Sequence, residues 1–189
     1  MPTVGIAGLG HWGKNLVRNF EALADLRALC DLSPELRESF ARRYPSTRVT
    51  ADFAELVDDP QLDAIVIATP VPTHYALAKQ ALEAGKHVFV EKPPAMRGEE
   101  MEELAALAAE RGLTCMPGHL LLYHPGVVRL KEMIDAGELG SVLCVYGNRQ
   151  NLGIIRSNEN ALWSLGVHDL SVILYLLDEE PSEAWAHGN

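Results

Sequence analysis

A short apolar run ending in three spaced glycines does most to restrict the fold. Thr3 to Ala7 is rich in strand formers. Gly8, Gly10 and Gly13 follow with the spacing G-x-G-x-x-G, enclosing His11 and Trp12, and a helical pattern begins at once. In such a strand–turn–helix the first glycine permits the tight turn. The second leaves room for a phosphate to approach the backbone, and the third lets the helix lie close on the strand. The helix N-terminus then turns N–H groups and a positive dipole end toward an anion. Glycines also serve ordinary turns, so the motif takes its force from its surroundings.

The surroundings are a second short strand, Arg27 to Cys30, that ends at Asp31, eighteen residues after Gly13. An acid at that place can accept hydrogen bonds from ribose hydroxyls, and its charge repels a 2′-phosphate, which favours NAD over NADP. The alternative is that Asp31 starts a turn or caps the next helix.

Strand and helix patterns then alternate. Leu16, Phe20 and Leu23 share one face of the helix from Trp12 to Leu23. Pro34 to Tyr44 reads as a helix with proline in its first turn. Arg48 to Thr50 is a minimal strand, and Asp52 is placed to cap a helix from Phe53 to Val57. Asp63 to Ala68 is a continuous apolar strand of the kind buried on both faces. A helix from Thr73 to Ala84 closes at Gly85. His87 to Val90 is a strand running into Glu91-Lys92-Pro93-Pro94. Glu99 to Arg111 is a helix ended by Gly112, and Leu113 to Met116 is a last strand. This rhythm predicts an α/β fold with a doubly wound parallel sheet. Gly8, Asp31, Thr69, Lys92 and the Pro117-Gly118-His119 segment all fall at carboxyl ends of strands, where such sheets bind ligands.

From His119 the character changes, which places a domain boundary between residues 118 and 119. Leu120 to Tyr123 reads as core packing. Pro125 to Ala136 reads as a helix, Ser141 to Asn148 as a long strand, Gln150 to Asn160 as a polar loop, and Ala161 to Leu177 as a helix.

Composition excludes several classes. The 189 residues are 48% hydrophobic with a formal net charge of −10 and no basic stripe, so nucleic acid is not an expected partner and an anionic membrane surface is disfavoured. There is no cationic segment followed by an apolar core at the N-terminus and no bilayer-length span, so a cytoplasmic location is the default. Cys30, Cys115 and Cys144 are widely spaced and read as reduced, small core residues. The seven histidines include no HExxH and no His–Cys cluster, and no metal site is expected. No G-x-S-x-G elbow appears.

Two side chains remain for chemistry. Lys92 ends a strand and is followed by two prolines that fix the local backbone. It can donate to a hydroxyl or carbonyl oxygen and stabilise developing negative charge, or it can be a surface lysine paired with Glu91 or Glu99. His168, in an apolar helix beside Asp169, is either a general base or a satisfied helix residue.

The glycine loop, Cys30-Asp31, Ala68-Thr69-Pro70 with Thr73-His74, Ala84-Gly85-Lys86-His87-Val88 and Glu91-Lys92-Pro93 together resemble the Gfo/Idh/MocA family of NAD(P)-dependent dehydrogenases. The resemblance implies a Rossmann-type domain over residues 1–118. It also implies an α+β domain from residue 119 that holds the substrate and commonly mediates homo-oligomerisation. It makes Lys92 and His168, the latter in Gly166-Val167-His168-Asp169, the catalytic pair. Gly8, Gly10, His11, Trp12, Gly13, Asp31, Thr69, Pro70, His74, Glu91, Lys92 and Trp163 become the NAD contacts. The segments around His119 to Pro125, Arg149 to Arg156 and Glu159 to Ser164 are similar, more narrowly, to dehydrogenases that oxidise the 3-hydroxyl of UDP-N-acetylglucosamine or its uronate. That likeness implies a sugar-nucleotide substrate held by Lys92, Arg149, Asn151, Asn160 and His168. Another sugar or polyol dehydrogenase, or an NAD-binding module without turnover, are the alternatives. Ser164 stands where many sugar dehydrogenases of the family carry an aspartate. Family members are also considerably longer, so the second domain is expected to be truncated.

Overall fold

The computed structural model describes residues 1–150 and 160–188. The chain divides into two compact units, Met1–Gly118 and His119–Asn189.

In the first unit, strands and helices alternate as β1 (Thr3–Ala7), α1 (Gly13–Leu23), β2 (Asp25–Cys30), α2 (Pro34–Arg43), β3 (Arg48–Thr50), α3 (Ala54–Val57), β4 (Ala64–Ile67), α4 (His74–Glu83), β5 (His87–Val90), α5 (Gly98–Arg111) and β6 (Cys115–Pro117). The sheet is parallel with the order β3-β2-β1-β4-β5-β6. The order reverses between β1 and β4, and the crevice beyond the carboxyl ends at such a point is where open α/β sheets bind ligands. The register pairs Ala7 with Cys30 on one side and with Ile67 on the other, so three strand ends meet there.

The period-two rule divides the core. On β4, Ile65 and Ile67 pack with Leu82, Val88 and Leu104, while Val66 faces the opposite layer with Ile6, Leu16 and Phe40. Each fully buried Ile or Leu contributes roughly 1.5–3 kcal/mol. Local signals set the helix ends. Ser33 Oγ accepts from the Leu36 N–H, with Pro34 in the first turn of α2. Asp52 Oδ1 accepts from the Ala54 N–H ahead of α3. Gly85 and Gly112 close α4 and α5 with φ of 78° and 64°. Lys86 is buried and donates from Nζ to the carbonyls of Asp59 at 2.6 Å and Leu62 at 2.8 Å, tying the loop before β4 to the start of β5.

The second unit carries α6 (Pro125–Asp135) and α7 (Val167–Leu177), the latter preceded by a π-helical turn, Leu162–Gly166. Two expectations fail here. Ser141 to Asn148 is not a strand. A strand is held by its ladder, and the described residues of this unit hold no other strand to pair with it. Cys144 is accordingly exposed, and Cys115 is only partly buried. Leu120–Tyr123 is a 3-10 turn rather than core, with Leu120 and Tyr123 exposed. Most of the polar stretch after Gln150 lies outside the described residues. No helix among the described residues is long and apolar enough to cross a membrane.

Candidate functional site

The glycine loop leaves β1 through Gly8, whose φ is +92°. Its N–H donates to the Cys30 carbonyl at 2.9 Å. A Cβ at Gly8 would lie 2.5 Å from the Ala68 backbone, and one at Gly13 would lie 1.9 Å from the Gly8 carbonyl oxygen. Both positions therefore exclude any side chain. At Gly10 a Cβ would meet nothing within 4 Å. That glycine is not demanded by the protein's own packing; its bareness keeps the space in front of the loop open. Helix α1 begins without a side-chain cap and with no acid in its first turn, whereas α2 is capped. The Lys14 and Asn15 N–H groups of α1 donate to the Gly10 and Trp12 carbonyls, and its positive pole meets no acidic side chain in the first turn. Open space at Gly10 and an uncapped helix start fit a dinucleotide's pyrophosphate.

Asp31 sits beside this loop. Its Oδ2 accepts from the Leu9 N–H at 2.7 Å and its Oδ1 from the Ser33 N–H at 2.8 Å. Each carboxylate oxygen has a further lone pair, so these bonds orient the group and leave acceptor capacity for ribose hydroxyls. The turn role and the ribose role are thus compatible. Cys30, just before it, is buried, and its thiol is pushed up to about 11 by burial and then by the Asp31, Asp52 and Glu55 charges. It is an inert core thiol.

The end of β5 faces the same edge. Trp12, the residue before α1, donates from Nε1 to Glu91 Oε1 at 2.6 Å. The Lys92 N–H reaches Glu91 Oε2 at 3.3 Å. Glu91 is buried, and burial pushes its carboxyl up, opposed by the Trp12 and Lys92 hydrogen bonds and then by the Lys92 and His74 charges. Gly118 closes over it: a Cβ there would lie 3.0 Å from Glu91 Oε1. Glu91, the residue before Lys92, is thus tied to the glycine loop across 79 positions of sequence. The Lys92–Pro93 peptide is cis.

Thr69 and Pro70 follow β4. The Thr69 hydroxyl lies 2.7 Å from the Thr73 hydroxyl, which donates to the Pro70 carbonyl. His74 is 1% exposed and both its ring nitrogens lie 2.8 Å from backbone carbonyls, Pro93 for Nδ1 and Thr69 for Nε2. His74, expected as a cofactor contact, has both ring nitrogens turned to backbone carbonyls. His11 is exposed and Trp12 is partly so.

In the second unit His168 is buried in the first turn of α7. Its neighbour Asp169 holds Arg149 in a two-point pair, Nε to Oδ2 at 2.7 Å and a terminal nitrogen to Oδ1 at 2.9 Å. The Arg149 hydrogen bond holds the Asp169 carboxyl below its usual range. Arg149 is therefore committed to a protein carboxylate, although about a third of its side chain stays exposed. Asn160 Oδ1 accepts from the Trp163 N–H at 3.0 Å, capping the helix that carries His168. That role, a local one, is additional to the substrate contact expected of it. Trp163 lies within the π-helical turn. Asn151 lies outside the described residues.

A cavity of about 850 Å³ opens at the opposite, amino-terminal edge of the sheet, between Asp25, Arg48 and Asp59. Arg48 there is engaged by Asp59 and the Glu55 carbonyl, and Arg27 by Gln61. No group of three or more His, Cys, Asp or Glu among the described residues could hold a metal. Sequence reasoning missed Gly118 as the cover on Glu91 and Asp169 as the partner of Arg149. Both depend on contacts remote in sequence, and no local pattern signals them.

The family model for oxidoreductases with an NAD-binding Rossmann fold, Gfo/Idh/MocA, matches residues 3–119. UDP-N-acetylglucosamine 3-dehydrogenase of Acidithiobacillus ferrooxidans is 32% identical over 190 residues, 97% of this chain and 57% of that protein. The NAD(+)-dependent scyllo-inositol 2-dehydrogenase of Bacillus subtilis is 30% identical over 191 residues, 98% of this chain and 56% of that protein. Among solved structures, GenD2 from gentamicin A biosynthesis in complex with NAD matches with a TM-score of 0.80 at 28% identity, covering 93% of this chain and 53% of that one. The chain spans a little over half the length of the curated relatives it matches.

Proposed function

The chain belongs to the Gfo/Idh/MocA oxidoreductase family with its NAD-binding Rossmann fold, and from that premise we propose that it serves NAD-dependent oxidation of a secondary hydroxyl on a sugar or polyol. The observation that carries this reading is the Trp12–Glu91 bond, which sets the strand end bearing Lys92 beside the open glycine loop. NAD, when bound, supplies the hydride acceptor. Gly8 to Gly13 and the start of α1 hold its phosphates, and Asp31 holds a ribose. Lys92 donates to the substrate oxygen and stabilises the charge that develops there. His168 takes the hydroxyl proton. Arg149, oriented by Asp169, and Asn160 contact the substrate, and Trp163 contacts the cofactor.

The finer reading is a UDP-N-acetylhexosamine or its uronate, oxidised at the 3-hydroxyl. It is supported by the likeness around His119 to Pro125 and Glu159 to Ser164, and by the relative of that activity at 32% identity. A cyclitol is the second reading, favoured by the inositol dehydrogenase at 30% identity. A panel of UDP-N-acetylglucosamine, its uronate, scyllo-inositol and myo-inositol, with NADH formation as the readout, separates the two. Lys92→Ala and His168→Ala are expected to abolish turnover while NAD binding, followed by calorimetry, persists. Undiminished NADH formation by either variant would sink the assigned roles. NAD binding without turnover on any substrate would leave a cofactor-binding module.

A further inference from the structure

Two loops of the cofactor edge meet at one buried side chain. His74 opens α4, and its Nε2 lies 2.8 Å from the carbonyl oxygen of Thr69, the second residue after β4. Its Nδ1 lies 2.8 Å from the carbonyl oxygen of Pro93, the residue after Lys92. Carbonyl oxygens only accept. A neutral imidazole carries one N–H, so it serves one of these carbonyls and sets a lone pair against the other. A ring protonated at both nitrogens serves both. An apolar residue of similar size would fill the space and leave both carbonyls without a donor, so packing alone does not explain a histidine here. Ligand contact does not explain it either, because the ring is 1% exposed. The charged group nearest in sequence on the Lys92 side is Glu91, itself buried and hydrogen-bonded to Trp12.

We propose that His74 is a positioning residue: doubly protonated, it clasps the Thr69 and Pro93 carbonyls and thereby fixes the backbone from which Lys92 extends. The proposal rests on the reading of Lys92 as the group that meets the substrate oxygen. It adds that the geometry of Lys92 is set from the start of α4, by a residue that touches neither cofactor nor substrate.

Asparagine places its amide nitrogen near the Nδ1 position and glutamine near Nε2. His74→Asn therefore keeps a donor for Pro93 and loses Thr69, and His74→Gln does the reverse. In the full chain, His74→Gln is expected to lower kcat about 10²-fold, the scale of a misplaced catalytic group, with KM for NAD unchanged. His74→Asn is expected to retain most of kcat. Hydrogen exchange at Glu91 and Ala95 should quicken in His74→Gln and not in His74→Asn. In the unaltered protein, ¹⁵N-resolved NMR should show two exchange-protected ring N–H signals for His74. A single ring N–H signal, or equal kcat in His74→Gln and the unaltered protein, overturns the proposal. If the unaltered protein turns over none of the sugars or cyclitols, the dehydrogenase reading has failed; the ring signals and the exchange pattern still decide the clasp. Should His74→Gln fail to fold, the ring signals of the unaltered protein decide it.

Discussion

Two glycines of the loop predict opposite outcomes for one chemical change. Gly10→Ala adds a methyl group that meets nothing within 4 Å, at a backbone conformation outside the left-handed region. Replacing glycine by alanine at a compatible site stabilises by about 0.4–1 kcal/mol through the unfolded chain. For a chain of this size that is a rise in Tm of about 1–4 °C. The same methyl stands where a phosphate approaches, so NAD affinity should fall at least about tenfold, or 1.4 kcal/mol. Gly13→Ala puts its Cβ 1.9 Å from the Gly8 carbonyl oxygen and 2.8 Å from the Gly8 carbonyl carbon. Both are backbone atoms and no rotamer change relieves the overlap, so α1 must move off the loop. Overpacking costs about 1–3 kcal/mol, and this case belongs at the upper end. Alanine's better helix propensity returns about 1 kcal/mol. The net loss is about 2 kcal/mol, a fall in Tm of about 4–8 °C. Thermal unfolding read alongside calorimetric titration with NAD separates the two effects. A Gly10→Ala protein that melts early and binds NAD normally, or a Gly13→Ala protein that melts with the unaltered chain, would refute the assignment of one glycine to ligand space and the other to packing.

Two further expectations concern buried charge. Burial holds the Glu91 carboxyl above its ordinary 4.5, so between that value and its folded-state value the folded protein binds more protons than the unfolded chain. Stability therefore falls as pH rises through that window. Glu91→Gln keeps an acceptor for Trp12 and removes the charge. Its melting curves should lose that part of the pH dependence and lie at or above the unaltered protein at neutral pH; parallel pH profiles would contradict the sign. Lys86→Met leaves the Asp59 and Leu62 carbonyls without their ammonium donor. Urea titration should show a loss of about 2 kcal/mol or more, given that hydrogen bonds to charged groups contribute about 1.5–3 kcal/mol each before the relief of burying a charge is counted. An unchanged midpoint would remove Lys86 from the structural account.

The elements that were legible in the sequence are those whose determinants lie within a few residues. The G-x-G-x-x-G spacing, the apolar run Ala64–Ile67, the proline in the first turn of α2 and the closing glycines at 85 and 112 each carry their own signal, and the parallel sheet follows from their alternation. Ser141 to Asn148 shows the limit of that reasoning. Its composition suits a strand, but strand formation is a property of a pair, and no partner strand lies among the described residues of its unit.

The glycine loop and the place of Asp31 beside it were specified by residue type and spacing alone, because backbone conformation and one charge at the end of a strand make up the arrangement proposed to meet a phosphate and a ribose. Which side chains face the ligand and which hold the site together was decided only in three dimensions. Trp12 is joined to Glu91, Gly118 covers that carboxylate, His74 is occupied by two carbonyls, and Arg149 is held by Asp169. All of these pairs except His74 with Thr69 are separated by many residues. Hydrogen-bonding capacity is written in the side chain, but the partner that consumes it is chosen by the fold.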